Sequence, residues 1–270
     1  MRKMDRVKAL ELPEDVLNNC SDEELLYAVI HYPFIVDFLA FEDLKMGYDH
    51  LKNYSTVLEK YDKCDHKAAM LEEYWEKYIS KGKEEGDLFR CYDECITQSL
   101  YYIETGIWLG SWSNAVRADG SDMYGSFNYV TLTTPNQSNV LCKHYLNDFS
   151  GTYISYWNSY YDSAYPNVTR IGPTTNQYNC HSYAWYWQST LNPYWMESCM
   201  AYIGDGSYTE TSIVAVGDII YYNTGHSGVV ALASGSMSNV RIRSKWAQYG
   251  LYYHLYDDCP YYPTTLHFYH

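Results

Sequence analysis

Apolar residues recur at helical spacing through the first hundred positions and at strand spacing through much of the remainder. Leu25, Leu26, Val29 and Ile30 make one helical face. Ser21-Asp22-Glu23-Glu24 ahead of them is a capping box, in which a Ser hydroxyl and a Glu carboxylate each satisfy an orphan backbone N–H. Pro33 ends that helix and opens another containing Phe34, Ile35, Phe38 and Leu39, since its fixed φ suits a first turn and its missing N–H suits no interior. A stretch around Leu51, Val57 and Leu58 leads to Ala68, Leu71, Tyr74, Trp75, Tyr78 and Ile79, again spaced for one face. The charged, Gly-bearing segment 81–87 predicts a boundary. One more apolar helix follows, over about 88–103. His31 and His66 fall in helical segments and read as structural or solvated.

Period two then takes over. Residues 127–133 alternate like a strand, Pro135-Asn136 makes a turn, and 140–145 return. The polar, Tyr-rich stretch 153–165 fits either a surface helix or a substrate-facing wall. Residues 213–221 read as a strand, Asn223-Thr224-Gly225 as a tight turn and 228–232 as its partner. A further strand covers 240–246. The expected architecture is α+β: a helical region over 1–85, a connecting helix and hairpin over 86–150 grouped with the second domain, and that domain proper over 151–270.

The 270 residues are enough for one large domain or two small ones. Hydrophobic content of 47% is inflated by 33 tyrosines, whose wet hydroxyls suit surfaces and clefts as well as cores. No apolar run is long enough for a membrane span. The basic start of the chain has no apolar segment behind it, so no signal peptide is read. A net charge of -14 argues against nucleic-acid partners, which require phosphate-neutralising Lys and Arg, and favours neutral or cationic substrates. The eight cysteines are scattered and form no C-x-x-C pair, and Cys91-x-x-x-Cys95 has no matching partner pair, so neither a metal nor another cofactor is expected.

Candidate chemistry lies at two places. Cys180 opens an apolar run with Tyr183, Ala184, Trp185 and Trp187, as a thiol at a helix start would. There the positive end of the helix favours the thiolate. His226 opens the second strand of the 213–232 hairpin, where a packed helix end can meet it. A thiol nucleophile needs such an imidazole to take its proton. His181 is adjacent to the thiol, but consecutive helical side chains diverge by about 100°, which directs it away. Asn179 or Gln177 can supply an oxyanion or substrate donor. Folding 240–246 back on the hairpin makes Ser244 the favoured group to orient His226, with His254 and Asn239 as alternatives.

These residues carry a resemblance. Residues 165–261 resemble the papain-like cysteine amidase and peptidase domains of the NlpC and CHAP kinds. They look closest to a group of Gram-positive bacterial proteins of uncharacterised activity with a helical amino-terminal region. The shared segments are Tyr-Asn-Cys-His-Ser-Tyr-Ala-Trp over 178–185, Asp-Gly-Ser-Tyr over 205–208, the Gly-Asp…His-Ser hairpin over 217–227, and the Ser-Lys-Trp tail from Ser244. Leu-Pro-Glu-Asp at 12–15 and Tyr-Pro-Phe at 32–34 resemble the group's amino-terminal segment. The resemblance implies Cys180 as nucleophile and His226 as base in an exported hydrolase of peptide or amide bonds, often those of peptidoglycan. Two features depart from it: Ala247 stands where the group has Gly, and no CHAP-type Glu or Asn orienter is evident. The competing expectation is a non-catalytic surface module that binds sugars or peptides through Tyr and Trp.

Overall fold

The computed structural model describes residues 2–79, 88–109, 121–122 and 124–270, so the expected boundary at 81–87 lies outside the described residues. The chain is α+β and divides into two compact units. One comprises 4–39 and 43–113; the other comprises 1–3, 40–42 and 114–270. The helix Leu88–Thr105 thus groups with the helices before it, rather than with the hairpin after it.

Helices Asp22–Ile30, Leu44–Lys52, Thr56–Asp62, Lys67–Tyr74 and Leu88–Thr105 build the helical unit around buried Leu25, Leu26, Val29, Leu51, Leu58, Leu71, Ile96 and Leu100. The capping box forms in full: Ser21 Oγ accepts from Glu24 N–H at 3.3 Å and Glu24 accepts from Ser21 N–H at 2.9 Å. Asp43 and Ser55 cap the next two helices one way only, accepting from the Met46 and Leu58 N–H groups. After Pro33 the chain makes a 3-10 segment, Ile35–Ala40, in place of the expected α-helix. Ile35, Val36, Asp37 and Phe38 are all buried there, so no solvent face imposes a 3.6-residue period.

The second unit holds two antiparallel sheets. Strands β1 (Ser121–Asp122), β2 (Gly125–Thr133), β3 (Asn139–Tyr145) and β5 (Trp195–Met196) form the first, in that order. The second runs β4-β10-β9-β8-β7-β11-β6, with β4 Thr169–Gly172, β6 Glu210–Thr211, β7 Ile219–Tyr222, β8 His226–Leu232, β9 Arg241–Lys245, β10 Leu251–Leu255 and β11 Leu266–Tyr269. Of the segment 213–221, only Ile219 onward is strand. Gly217 takes φ 98°, and the Asp218 carboxylate accepts the Ala215 N–H at 2.7 Å, which turns the chain and leaves Ile213 and Val216 exposed. The Tyr-rich stretch is a helix, Gly151–Ala164, capped by Ser150. It buries Trp157 and Tyr161 against Tyr249, with ring centroids at 5.0 and 4.6 Å.

One apolar cluster joins the sheets. Ile219, Val229, Leu251 and Tyr269 from the larger sheet and Val140 and Cys142 from the smaller enclose Tyr183, Ala184 and Trp185. This packing holds the segment that begins at Cys180 against the face of β8 that carries Val229 and, by alternation, Ser227.

Candidate functional site around Cys180

Cys180 opens a short helical segment whose Ser182–Tyr186 portion is π-helical, with Trp187 N–H donating to Ser182 O at 3.0 Å. Asn179 builds the entry to that segment. Its Oδ1 accepts from Ser182 N–H at 3.1 Å and Met196 N–H at 3.2 Å. Its Nδ2 donates to Met196 O at 2.6 Å and to the Glu42 carboxylate. Both amide protons are therefore engaged, and Asn179 acts here as a bracket. Gln177, the other expected donor, bonds Asn176 Oδ1 at 2.9 Å.

Three chemically active groups converge at this bracket. The Cys180 thiol, one ring nitrogen of His181 and a Glu42 carboxylate oxygen lie within 4.8 Å of one another. Ser227 fixes the arrangement from β8: its hydroxyl shares a 2.9 Å hydrogen bond with His181 Nδ1 and accepts from Trp185 Nε1 at 2.8 Å. The Cys199 thiol lies against the same hydroxyl. Backbone N–H groups of Ser227 and His181 lie close enough to the Cys180 sulfur to favour its thiolate. Cys20, Cys64, Cys142, Cys180, Cys199 and Cys259 are free thiols.

Burial disfavours the charged form of each of these three groups. Burial pushes the Cys180 thiol well above its ordinary range; neighbouring Glu42 adds to this and the two N–H donors oppose it. Burial brings His181 down to about 4. Glu42 is pushed up to about 8, chiefly by desolvation of its carboxyl, with the Asn179 amide pulling the other way. The residue as a whole is nevertheless exposed, so the shift belongs to the docked position of its head group. Cys180 is 2% exposed, and hollows of 610 and 190 Å³ are lined by helical-unit residues such as Leu17, Leu25 and Met70.

His226 sits elsewhere. It is fully buried and stacks on Tyr261, with centroids 3.5 Å apart and planes 6° from parallel. Among the described residues neither of its ring nitrogens has a hydrogen-bond partner, so no bond joins it to Cys180. Alternation along β8 explains this: Ser227 points to the Cys180 segment, and its neighbour His226 points to the opposite face. Burial lowers the His226 pKa well below its ordinary value, with His181 and His254 adding to the effect. Ser244 also serves a different histidine. Trp246 Nε1 donates to Ser244 Oγ at 3.2 Å, and Ser244 Oγ bonds His254 Nε2 at 2.7 Å. His254 Nδ1 donates to Leu255 O at 2.7 Å, which makes Nε2 the acceptor of the Ser244 proton. Of the residues picked from sequence, Cys180 and Asn179 share a site, while His226 and Ser244 lie on the other face of the larger sheet.

Sequence reasoning left out Glu42 and Ser227 and turned His181 away. Adjacency to Cys180 was the available signal for His181. Glu42 lies 137 positions from its partner Asn179, and no local motif marks it. No known protein family, curated protein or solved structure matches the chain.

Proposed function

We propose that the protein is a cysteine-dependent amidase or peptidase on a papain-like scaffold, with Cys180 as nucleophile and His181 as the base that serves it. The observation that carries this reading is the convergence of the Cys180 thiol, the His181 imidazole and the Glu42 carboxylate within 4.8 Å. The thiol passes its proton to the imidazole, and the sulfur attacks the amide carbonyl. The C–N bond breaks as the imidazolium returns the proton to the leaving amine, and water then hydrolyses the thioester. Ser227 holds the His181 ring, the part that Ser244 was expected to play for His226. Entry of substrate requires Glu42 to leave Asn179, and an exposed residue is free to make that movement. By the same resemblance the substrates are peptides or peptidoglycan fragments met at or outside the cell surface.

The test is site-resolved alkylation with turnover on peptides and muropeptides. Cys180 should label faster than the partly exposed Cys20 and Cys64, and His181→Ala should slow that labelling more than His226→Ala. A larger effect of His226→Ala would return the base to the residue that the resemblance implies. The closure of Cys180 favours a second reading, a binding module that keeps the fold without the chemistry. Tyr186 and Trp187, both exposed at the end of the Cys180 segment, offer it a stacking surface. Slow labelling of Cys180 with no turnover, joined to glycan or peptide binding lost on Trp187→Ala, would establish that reading instead.

A further inference from the structure

We infer that Glu42, Cys180 and His181 form a binding site for a divalent transition ion of the zinc class. A thiolate, an imidazole and a carboxylate make a mixed donor set that suits zinc and its neighbours, whereas magnesium and calcium take oxygen donors alone. The three donor atoms already lie within 4.8 Å of one another. Zinc–ligand bonds of about 2.0–2.3 Å in a tetrahedron set donors roughly 3.3–3.7 Å apart, so side-chain rotation of about 1 Å completes the set. Among the described residues no other grouping brings three such donors together.

The surroundings are those of a metal centre as well. His181 has its Nδ1 held by the Ser227 hydroxyl at 2.9 Å, and the Glu42 carboxylate is held by the Asn179 amide. Partners of this kind orient ligands and strengthen metal binding. Three protein donors leave a fourth position for water or another ligand. Binding forms an S–metal bond as the thiol proton is lost to solvent. A sulfur so occupied cannot attack a carbonyl, and the ion would therefore act as a reversible block on the thiol. The absence of a C-x-x-C pair gave the sequence no metal signature, because two of these donors are adjacent and the third is far upstream.

The inference rests on the donor geometry and does not need the hydrolase reading. Its test uses the full chain with Cys20 and Cys64 replaced by Ser, which removes the two partly exposed described thiols. Cobalt(II) is added as a probe in the absence of substrate. One equivalent should give a thiolate-to-cobalt charge-transfer band that zinc displaces. Cys180→Ser should abolish that band, and Glu42→Gln should weaken cobalt binding by about 10-fold or more. Glu42 is exposed, so Glu42→Gln keeps the question decidable if Cys180→Ser does not fold. No band at saturating cobalt, a band that survives Cys180→Ser, or unchanged affinity in Glu42→Gln would each overturn the inference. No turnover by the metal-free protein, which still gives the band once cobalt is added, counts against the hydrolase alone, and turnover without a band counts against the metal site alone.

Discussion

At the scale of single residues, Ala247 holds φ at 44°, in the left-handed region where a Cβ costs about 1–2 kcal/mol. Here the methyl group is buried beside Phe127, Tyr145 and Trp195, which returns about 0.8 kcal/mol. The two effects nearly cancel, so Ala247→Gly should stay within about 1 kcal/mol of the parent in urea unfolding. Ala247→Val adds bulk to a closed cluster at a φ that β-branched residues avoid, and should lose about 2 kcal/mol or more. Equal losses in both variants would show that the methyl contact, not the backbone, governs the site. Lys245 fixes the same loop: its buried Nζ donates to the carbonyls of Thr175 at 3.1 Å, Ala247 at 2.8 Å and Tyr249. Glu42 raises the thiol pKa and its carboxylate docks beside the thiol, so Glu42→Ala should speed alkylation of Cys180 several-fold at pH 8.5. An unchanged rate would mean that Glu42 neither repels nor covers the sulfur.

Among the elements, β8 sets the geometry of the site and is the least tolerant of added volume. A Cβ at Gly228 would meet Ile242 Cγ2 at 2.5 Å, Ser244 Cβ at 3.0 Å and Arg243 O at 3.2 Å. Gly228→Ala should therefore destabilise by about 1–3 kcal/mol. Ile242→Ala removes the closest atom, and the double variant should lose measurably less than the sum of the two singles. Additive losses would place the strain elsewhere. The elements legible in the sequence are those fixed by local chemistry. The Ser21–Glu24 capping box and the β2–β3 hairpin around Pro135-Asn136 each carry their signals within a few residues. The apolar run 213–216 imitated a strand because its turn depends on Gly217 and the Asp218 side chain. The site was legible in one half only. Alternation along β8 separates His226 from Ser227, but it does not say which of the two faces the Cys180 segment. That choice follows from packing of Tyr183, Ala184 and Trp185 against Ile219 and Val229, contacts between residues far apart in sequence.

For the whole molecule, the pH dependence of stability follows from opposed groups. Burial holds His181 and His254 near 4, below the ordinary 6.5, and pushes His226 down further. A histidine with a depressed folded pKa binds its proton more readily when unfolded. Its contribution is therefore complete above about 6.5 and is lost as pH falls toward 4. For His181 and His254 the loss is on the order of 3 kcal/mol each. Glu42 has the opposite sign: its carboxyl is raised from 4.5 to about 8, so its contribution is complete below 4.5 and fades as pH rises to 8. Solvent around that exposed residue reduces its weight. The net charge of -14 also favours mild acid, since self-repulsion falls toward the pI near 4.9, but that repulsion is spread over the surface and screened by salt. The buried histidines should therefore prevail, with stability greatest near neutral pH and falling steeply below about 6. Urea midpoints at pH 7.5, 6.5, 5.5 and 4.5 would measure this. His254→Gln keeps a partner for Ser244 without a titrating ring, and it should flatten the acid limb. A midpoint that rises steadily toward pH 5 would show that surface charge outweighs the buried rings.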